Sequence, residues 1–122
     1  MTTVMVVDDS TMVRRQVSEV LTAVGFTVVE ACDGVEALEM LNAAPQPSLI
    51  VLDVNMPRMS GLELLQRMRD DKLPMVPVVL LTTEGQPRMM QQAKDLGAKG
   101  WIVKPFKADL LIGAARKLTQ IA

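Results

Sequence analysis

The sequence predicts an α/β domain built on a parallel sheet, and three features predict it. Five short apolar runs alternate along the chain with five amphipathic stretches of helical period. The runs are continuous rather than alternating, which marks strands covered on both faces. Four of them end on polar side chains, where open α/β sheets keep their chemistry. The clearest is Leu49-Ile50-Val51-Leu52, preceded by Pro45, Pro47 and Ser48 and running straight into Asp53.

The elements follow in order. Thr3 to Val7 forms a buried strand that stops at Asp8-Asp9. Ser10 or Thr11 caps a helix to about Val24, with Val13, Val17, Val20 and Leu21 inward and Arg14, Arg15 and Glu19 outside. Gly25 terminates it, and Phe26 to Ala31 forms a second strand suited to a sheet edge. Asp33 with Glu36 makes a capping box for a helix over Val35 to Leu41. After the Asp53 strand, Ser60 and Glu63 form another capping box. They open a helix to about Arg69, with Leu62, Leu65 and Met68 inward. Val78 to Leu81 is a fourth strand ending at Thr82-Thr83. Pro87 starts a helix that closes at Gly97, with Met89, Ala93 and Leu96 on one face. Trp101 to Val103 is a short fifth strand ending at Lys104-Pro105, and a helix from Ala108 to about Ile121 completes the chain. The strand order is not readable from this pattern.

Composition bounds the function. A chain of 122 residues makes one domain, spanning 1–122, that buries roughly two thirds of its unfolded surface. A net charge of −1 gives no electrostatic case for nucleic acid or an anionic membrane. No apolar run approaches the ~20 residues of a membrane span, and no leader pattern opens the chain. One cysteine, Cys32, permits no internal disulfide. It reads as a small buried hydrophobe in a protein of a reducing, cytoplasmic compartment. The absence of histidine removes the commonest general base and metal ligand together.

A parallel sheet gathers Asp8, Asp9, Asp53, Thr82 and Lys104 at one edge. Taken singly, each has an ordinary reading: Asp8 and Asp9 as helix caps, Asp53 as a turn residue, Thr82 as a satisfied hydroxyl, Lys104 as a surface charge. All five at one edge by chance is far less expected. Carboxylates a few ångströms apart repel, and one is driven neutral unless a cation joins them. A hard divalent ion with oxygen ligands fits, which favours Mg²⁺; zinc is disfavoured, with no histidine and only one cysteine in the chain. Carboxylate, cation and lysine together make a site for an incoming phosphoryl group, with an aspartate as nucleophile.

These residues carry a resemblance. Asp8-Asp9, Asp53, Met56-Pro57, Thr82 and Lys104-Pro105, each after its strand, resemble the receiver domain of two-component response regulators over essentially the whole chain. Thr82-Thr83-Glu84 and the run from Gly97 to Phe106 resemble the stand-alone, CheY-like chemotaxis regulators in particular, and the lack of an output domain after Ala122 agrees. The resemblance implies the flavodoxin-like strand order 2-1-3-4-5. It implies that Asp53 accepts a phosphoryl group from a histidine kinase, and that Asp9, Asp53 and the Asn55 carbonyl bind Mg²⁺ with Asp8 helping through water. It implies that Lys104 holds a phosphoryl oxygen while Thr82 and Trp101 switch. It implies, too, that Asn55 and Glu84 stand where the hydrolytic water is oriented and so tune dephosphorylation. Such a protein catalyses only its own phosphorylation and dephosphorylation. It reports to a downstream protein such as a motor switch or chemosensory output, and a phosphatase can act on it.

Two positions depart from the family's habit. Trp101 replaces the usual Tyr, Phe or His, and Thr83 stands where Ala or Gly is common. The last helix is apolar on several sides: Leu111, Ala115 and Leu118 make one stripe, and Leu110, Ile112 and Ala114 spread beyond it. Met90, Trp101, Leu110 and Ala114 therefore form a candidate partner face, with Gly113 suited to a close contact. One rival is a haloacid-dehalogenase-type aspartyl-phosphate phosphatase, which needs a second Asp where this chain has Asn55. Another is a phosphorylation-independent interaction module, although every acceptor-site group is present. A nucleotide or flavin binder lacks its glycine-rich loop.

Overall fold

The computed structural model describes residues 2–43, 45–54, 56, 59–71, 73, 76–83 and 87–119. Strands β1 (Thr3–Val7), β2 (Thr27–Ala31), β3 (Leu49–Asp53), β4 (Val78–Thr82) and β5 (Gly100–Val103) form one parallel sheet. Its order is β2-β1-β3-β4-β5, as the resemblance implies. Helices α1 (Thr11–Ala23), α2 (Gly34–Asn42), α3 (Gly61–Asp70), α4 (Pro87–Asp95) and α5 (Ala108–Thr119) connect and follow the strands.

The period-2 alternation of side chains along each strand divides the core in two. Met5, Val7, Ile50, Leu52, Val78 and Leu80 point to the face covered by α2, α3 and α4. Val4, Val6, Leu49, Val51, Val79 and Leu81 point to the face covered by α1 and α5. This double coverage is why β3 and β4 read as unbroken apolar runs: every residue of both is buried. β2 and β5 are the edge strands and are only partly buried.

The predicted caps form with instructive differences. Ser10 accepts from the Val13 amide, and Ser60 with Glu63 makes the full reciprocal box on α3. At α2, Asp33 accepts from the Glu36 amide, but the Glu36 carboxylate reaches back to the Cys32 amide at 3.1 Å. Gly25 and Gly97 end their helices at φ of 99° and 100°, a conformation that favours glycine. On α3 the fully buried Leu64 joins Leu65 and Met68, whereas Leu62 is only half-buried, so the inward face is rotated from the one expected. The Lys104–Pro105 peptide is cis.

Candidate functional site

Parallel pairing brings the strand ends level. β1 and β3 pair with Val7 opposite Leu52, which sets Asp8 beside Asp53. β3 and β4 pair with Asp53 opposite Leu81, and β4 and β5 with Thr82 opposite Val103. Hydrogen bonds continue past the strands: the Asp8 amide donates to the Ala31 carbonyl at 3.2 Å, and the Lys104 amide donates to the Thr82 carbonyl at 2.7 Å. The carboxyl edge is therefore held by backbone, and its side chains inherit that rigidity.

Lys104 is the centre of the cluster. Its ammonium donates to Asp8 Oδ2 at 2.9 Å and to Asp53 Oδ1 at 3.2 Å. Asp8 is fully buried, the Asp53 side chain is 7% exposed and that of Lys104 is 17% exposed. Burial by itself pulls the ammonium pKa down. The hydrogen bond to Asp8 and the charges of Asp53 and Asp8 outweigh it, and the net displacement is upward. Asp8, Asp9 and Asp53 each offer a carboxylate oxygen, and these lie within 4.8 Å of one another. Three carboxylates and one ammonium leave a formal charge of two negative units on these four side chains, which matches one divalent cation. The donors are all hard oxygens, the chemistry Mg²⁺ takes.

Thr82 is buried as the last residue of β4. Trp101 lies on edge strand β5, 44% exposed. Of the candidate partner face, Leu110 is 59% exposed and Met90 is half-buried. Ala114 is also half-buried and packs partly against the core, so it offers less free surface than expected. A Cβ at Gly113 would meet nothing within 4 Å, so the domain itself makes no close contact there. Asn55, Pro57 and Glu84 lie outside the described residues.

Two residues of the site escaped sequence reasoning. A Cβ on Gly61 would stand 2.4 Å from the Asp53 carbonyl oxygen and 3.0 Å from Val54 Cα. Only glycine lets α3 begin against the end of β3, and the Gly61 amide donates to the Val54 carbonyl at 2.9 Å. A glycine in the first turn of a helix, where no positive φ is needed, was the available signal. Arg14, expected outside, instead lies along α1 with only 15% of its side chain exposed. It donates to the Asp8 carbonyl and, at 3.2 Å, to Glu30. A cation near a helix N-terminus opposes the macrodipole, and that mismatch marked it.

A doubly wound parallel sheet with acids and a lysine at its switch point defines a class, and the comparisons place the chain in it. The family model of the response regulator receiver domain matches residues 4–116, so the chain belongs to the receiver-domain family of two-component response regulators. It is similar to chemotaxis protein CheY1 of Helicobacter pylori, with 38% identity over 109 residues and 88% of each chain covered. It is similar to chemotaxis protein CheY of Pseudomonas aeruginosa, 38% identical over 119 residues, covering 96% of this chain and 95% of that one. The high-resolution structure of Vibrio cholerae chemotaxis protein CheY4 superposes with a TM-score of 0.88 at 38% identity, covering 97% and 98% of the two chains. Receiver domains bind Mg²⁺ at an acidic pocket, and the Asp8, Asp9 and Asp53 cluster has the donors for it. Among the described residues, no helix is long and apolar enough to cross a membrane.

Proposed function

We propose that this chain is a chemotaxis-type regulator in which Asp53 is the phosphoacceptor. The observation that carries the reading is the single ammonium of Lys104 shared between Asp8 and Asp53 at the carboxyl edge. An Asp53 carboxylate oxygen attacks the phosphorus of a kinase phosphohistidine. The P–O bond forms as the P–N bond breaks, and the imidazole leaves with the electron pair and takes up a proton. Asp9 and Asp53, with the Asn55 carbonyl, would hold Mg²⁺ directly, and Asp8 would help through water. When bound, the ion supplies positive charge against the oxygens of the transferring group.

Lys104 already sits within hydrogen-bond reach of Asp53, so it can exchange a carboxylate oxygen for a phosphoryl oxygen with little movement. Asp8 keeps its hold on the other side, which orients the ammonium. Thr82 donates its hydroxyl to the new phosphate, and Trp101, exposed on the neighbouring strand, turns inward as the threonine withdraws. The phosphate brings about −1.5 to −2 charges and three strong acceptors, enough to bias two pre-existing arrangements of α4, β5 and α5. Met90, Trp101, Leu110 and Ala114 form the face that the kinase or a downstream protein such as a motor switch reads. Asn55 and Glu84 set the phosphate lifetime. The protein works in the cytoplasm.

The test is intact-mass analysis after incubation with a small acyl-phosphate donor, with and without Mg²⁺, while Trp101 fluorescence is followed. Wild type should gain one phosphate only with Mg²⁺, and Asp53→Asn should gain none. Phosphate without a fluorescence change would keep the acceptor and remove Trp101 from the switch. No phosphate on wild type would defeat the reading.

A further inference from the structure

We infer that Arg14 is a positioning residue for the cation site, a strut that fixes where Asp9 presents its carboxylate. This rests on the reading of Asp9 and Asp53 as Mg²⁺ ligands, with Asp8 beside them, and goes beyond it. Every polar group of Asp8 is held. Its amide donates to Ala31, its Oδ1 accepts from the Ser10 amide at 2.9 Å, its Oδ2 accepts from Lys104, and its carbonyl accepts from Arg14 Nη1. That carbonyl belongs to the peptide joining Asp8 to Asp9, so its direction sets the path of the chain into Asp9. Asp9 itself is exposed.

The guanidinium is braced on its other nitrogens. Nε donates to Glu30 Oε1 on β2, and Nη2 donates to Thr11 Oγ1, both at 3.2 Å. A planar fork with fixed donors suits this work in a way that a single ammonium does not. Pairing with Glu30 also balances the arginine charge locally, so the strut adds little net positive charge beside the three carboxylates. Arg14 thus ties β1, β2 and α1 to one peptide of the site without itself reaching a ligand oxygen.

Mg²⁺ and Ca²⁺ separate this role from general stabilisation. Mg²⁺ needs near-octahedral ligands at short range, whereas Ca²⁺ accepts displaced carboxylates. Calorimetric titration of the full chain with each ion compares wild type, Arg14→Gln and Glu30→Gln, with Asp9→Asn as control. Arg14→Gln should weaken Mg²⁺ by about 10–100-fold, the range for lost outer-shell partners, and Ca²⁺ clearly less. Glu30→Gln should shift the Mg²⁺/Ca²⁺ ratio the same way by a smaller factor. Unchanged Mg²⁺ affinity in both variants, or equal loss of both ions in Arg14→Gln, overturns the inference and leaves the Mg²⁺ site standing. Wild type that binds neither ion, or Asp9→Asn that binds Mg²⁺ as wild type does, overturns the site itself. If Arg14→Gln does not fold, Glu30→Gln on the edge strand decides by the same ratio.

Discussion

Replacing Lys104 by Met should destabilise the domain in metal-free buffer, and Mg²⁺ should restore much of the loss. The ammonium serves two carboxylates at 2.9 Å and 3.2 Å. At an effective dielectric constant of about 20, each contact is a gross attraction of roughly 5–6 kcal/mol. Most of that is offset by the cost of withdrawing the charges from water. What the substitution exposes is different: Asp8, fully buried, loses the ammonium that donates to its Oδ2. Removing one member of a buried pair costs about 3–5 kcal/mol, and the partial exposure of Lys104 places the expected loss near ~3. For a chain of this length that lowers Tm by roughly 10–15 °C. Because Met matches the lysine stem in volume, packing contributes little to the change. A divalent ion among the carboxylates replaces the missing charge, so saturating Mg²⁺ should recover more than half of the shift. Thermal unfolding by circular dichroism, with chelator and with Mg²⁺, measures both numbers. A variant melting within ~2 °C of wild type, or a loss that Mg²⁺ leaves whole, would refute the counter-ion argument.

The same ammonium has its pKa raised above its usual 10.5, so its stabilisation is fully present below that value and is lost as pH rises through the folded-state pKa. Wild type should therefore lose stability more steeply than Lys104→Met above about pH 10.5, as denaturant midpoints across pH 9–12 would show. Gly61→Ala drives a Cβ into the Asp53 backbone carbonyl and should cost about 1–3 kcal/mol and weaken Mg²⁺ binding, both readable by melting with and without the ion. Gly113→Ala, in an exposed position of α5 with open space around it, should instead stabilise the domain by about 1 kcal/mol; a loss in a melting experiment would contradict that. Thr83 is exposed and lines a groove of about 560 Å³ with Lys104, Pro105 and Phe106, so Thr83→Ala should speed phosphorylation by small donors severalfold, and an equal rate would count against steric control.

The fold was legible because the sheet is covered on both faces. Burial on two sides demands unbroken apolar runs, and Leu49–Asp53 and Val78–Thr82 could hardly be anything else. The chemistry was legible for a related reason. A carboxylate at the end of such a run has no apolar face to serve, so Asp8 and Asp53 stood out against their neighbours. Strand order was hidden, since it depends on which edges meet and not on the period of any one segment. It came through the resemblance. Arg14 was misread because its helix position is amphipathically outside. Its long side chain runs back along α1 to the Asp8 carbonyl, a reach that periodicity does not register. Gly61 was hidden inside a capping box whose own logic seemed to explain it.

The arrangement also explains why a site with so much like charge coexists with a rigid edge. Backbone bonds from Asp8 to Ala31 and from Lys104 to Thr82 fix the strand ends independently of any ion. The repulsion among the carboxylates is therefore borne by side chains anchored on a fixed edge, and it favours the entry of a cation. Lys104 links the two halves of that response. Its side chain reaches Asp8 and Asp53, while its amide is bonded to Thr82 and its strand carries Trp101 two residues before the edge-facing Val103. On the proposed function, a change in what the ammonium holds would reach β5 through the chain that joins Lys104 to Val103, and the exposed side chains of that strand, Trp101 among them, are where it would be read. As the strand beyond β4, β5 has one sheet partner among the described residues, so its outer residues can change surroundings without breaking a second ladder.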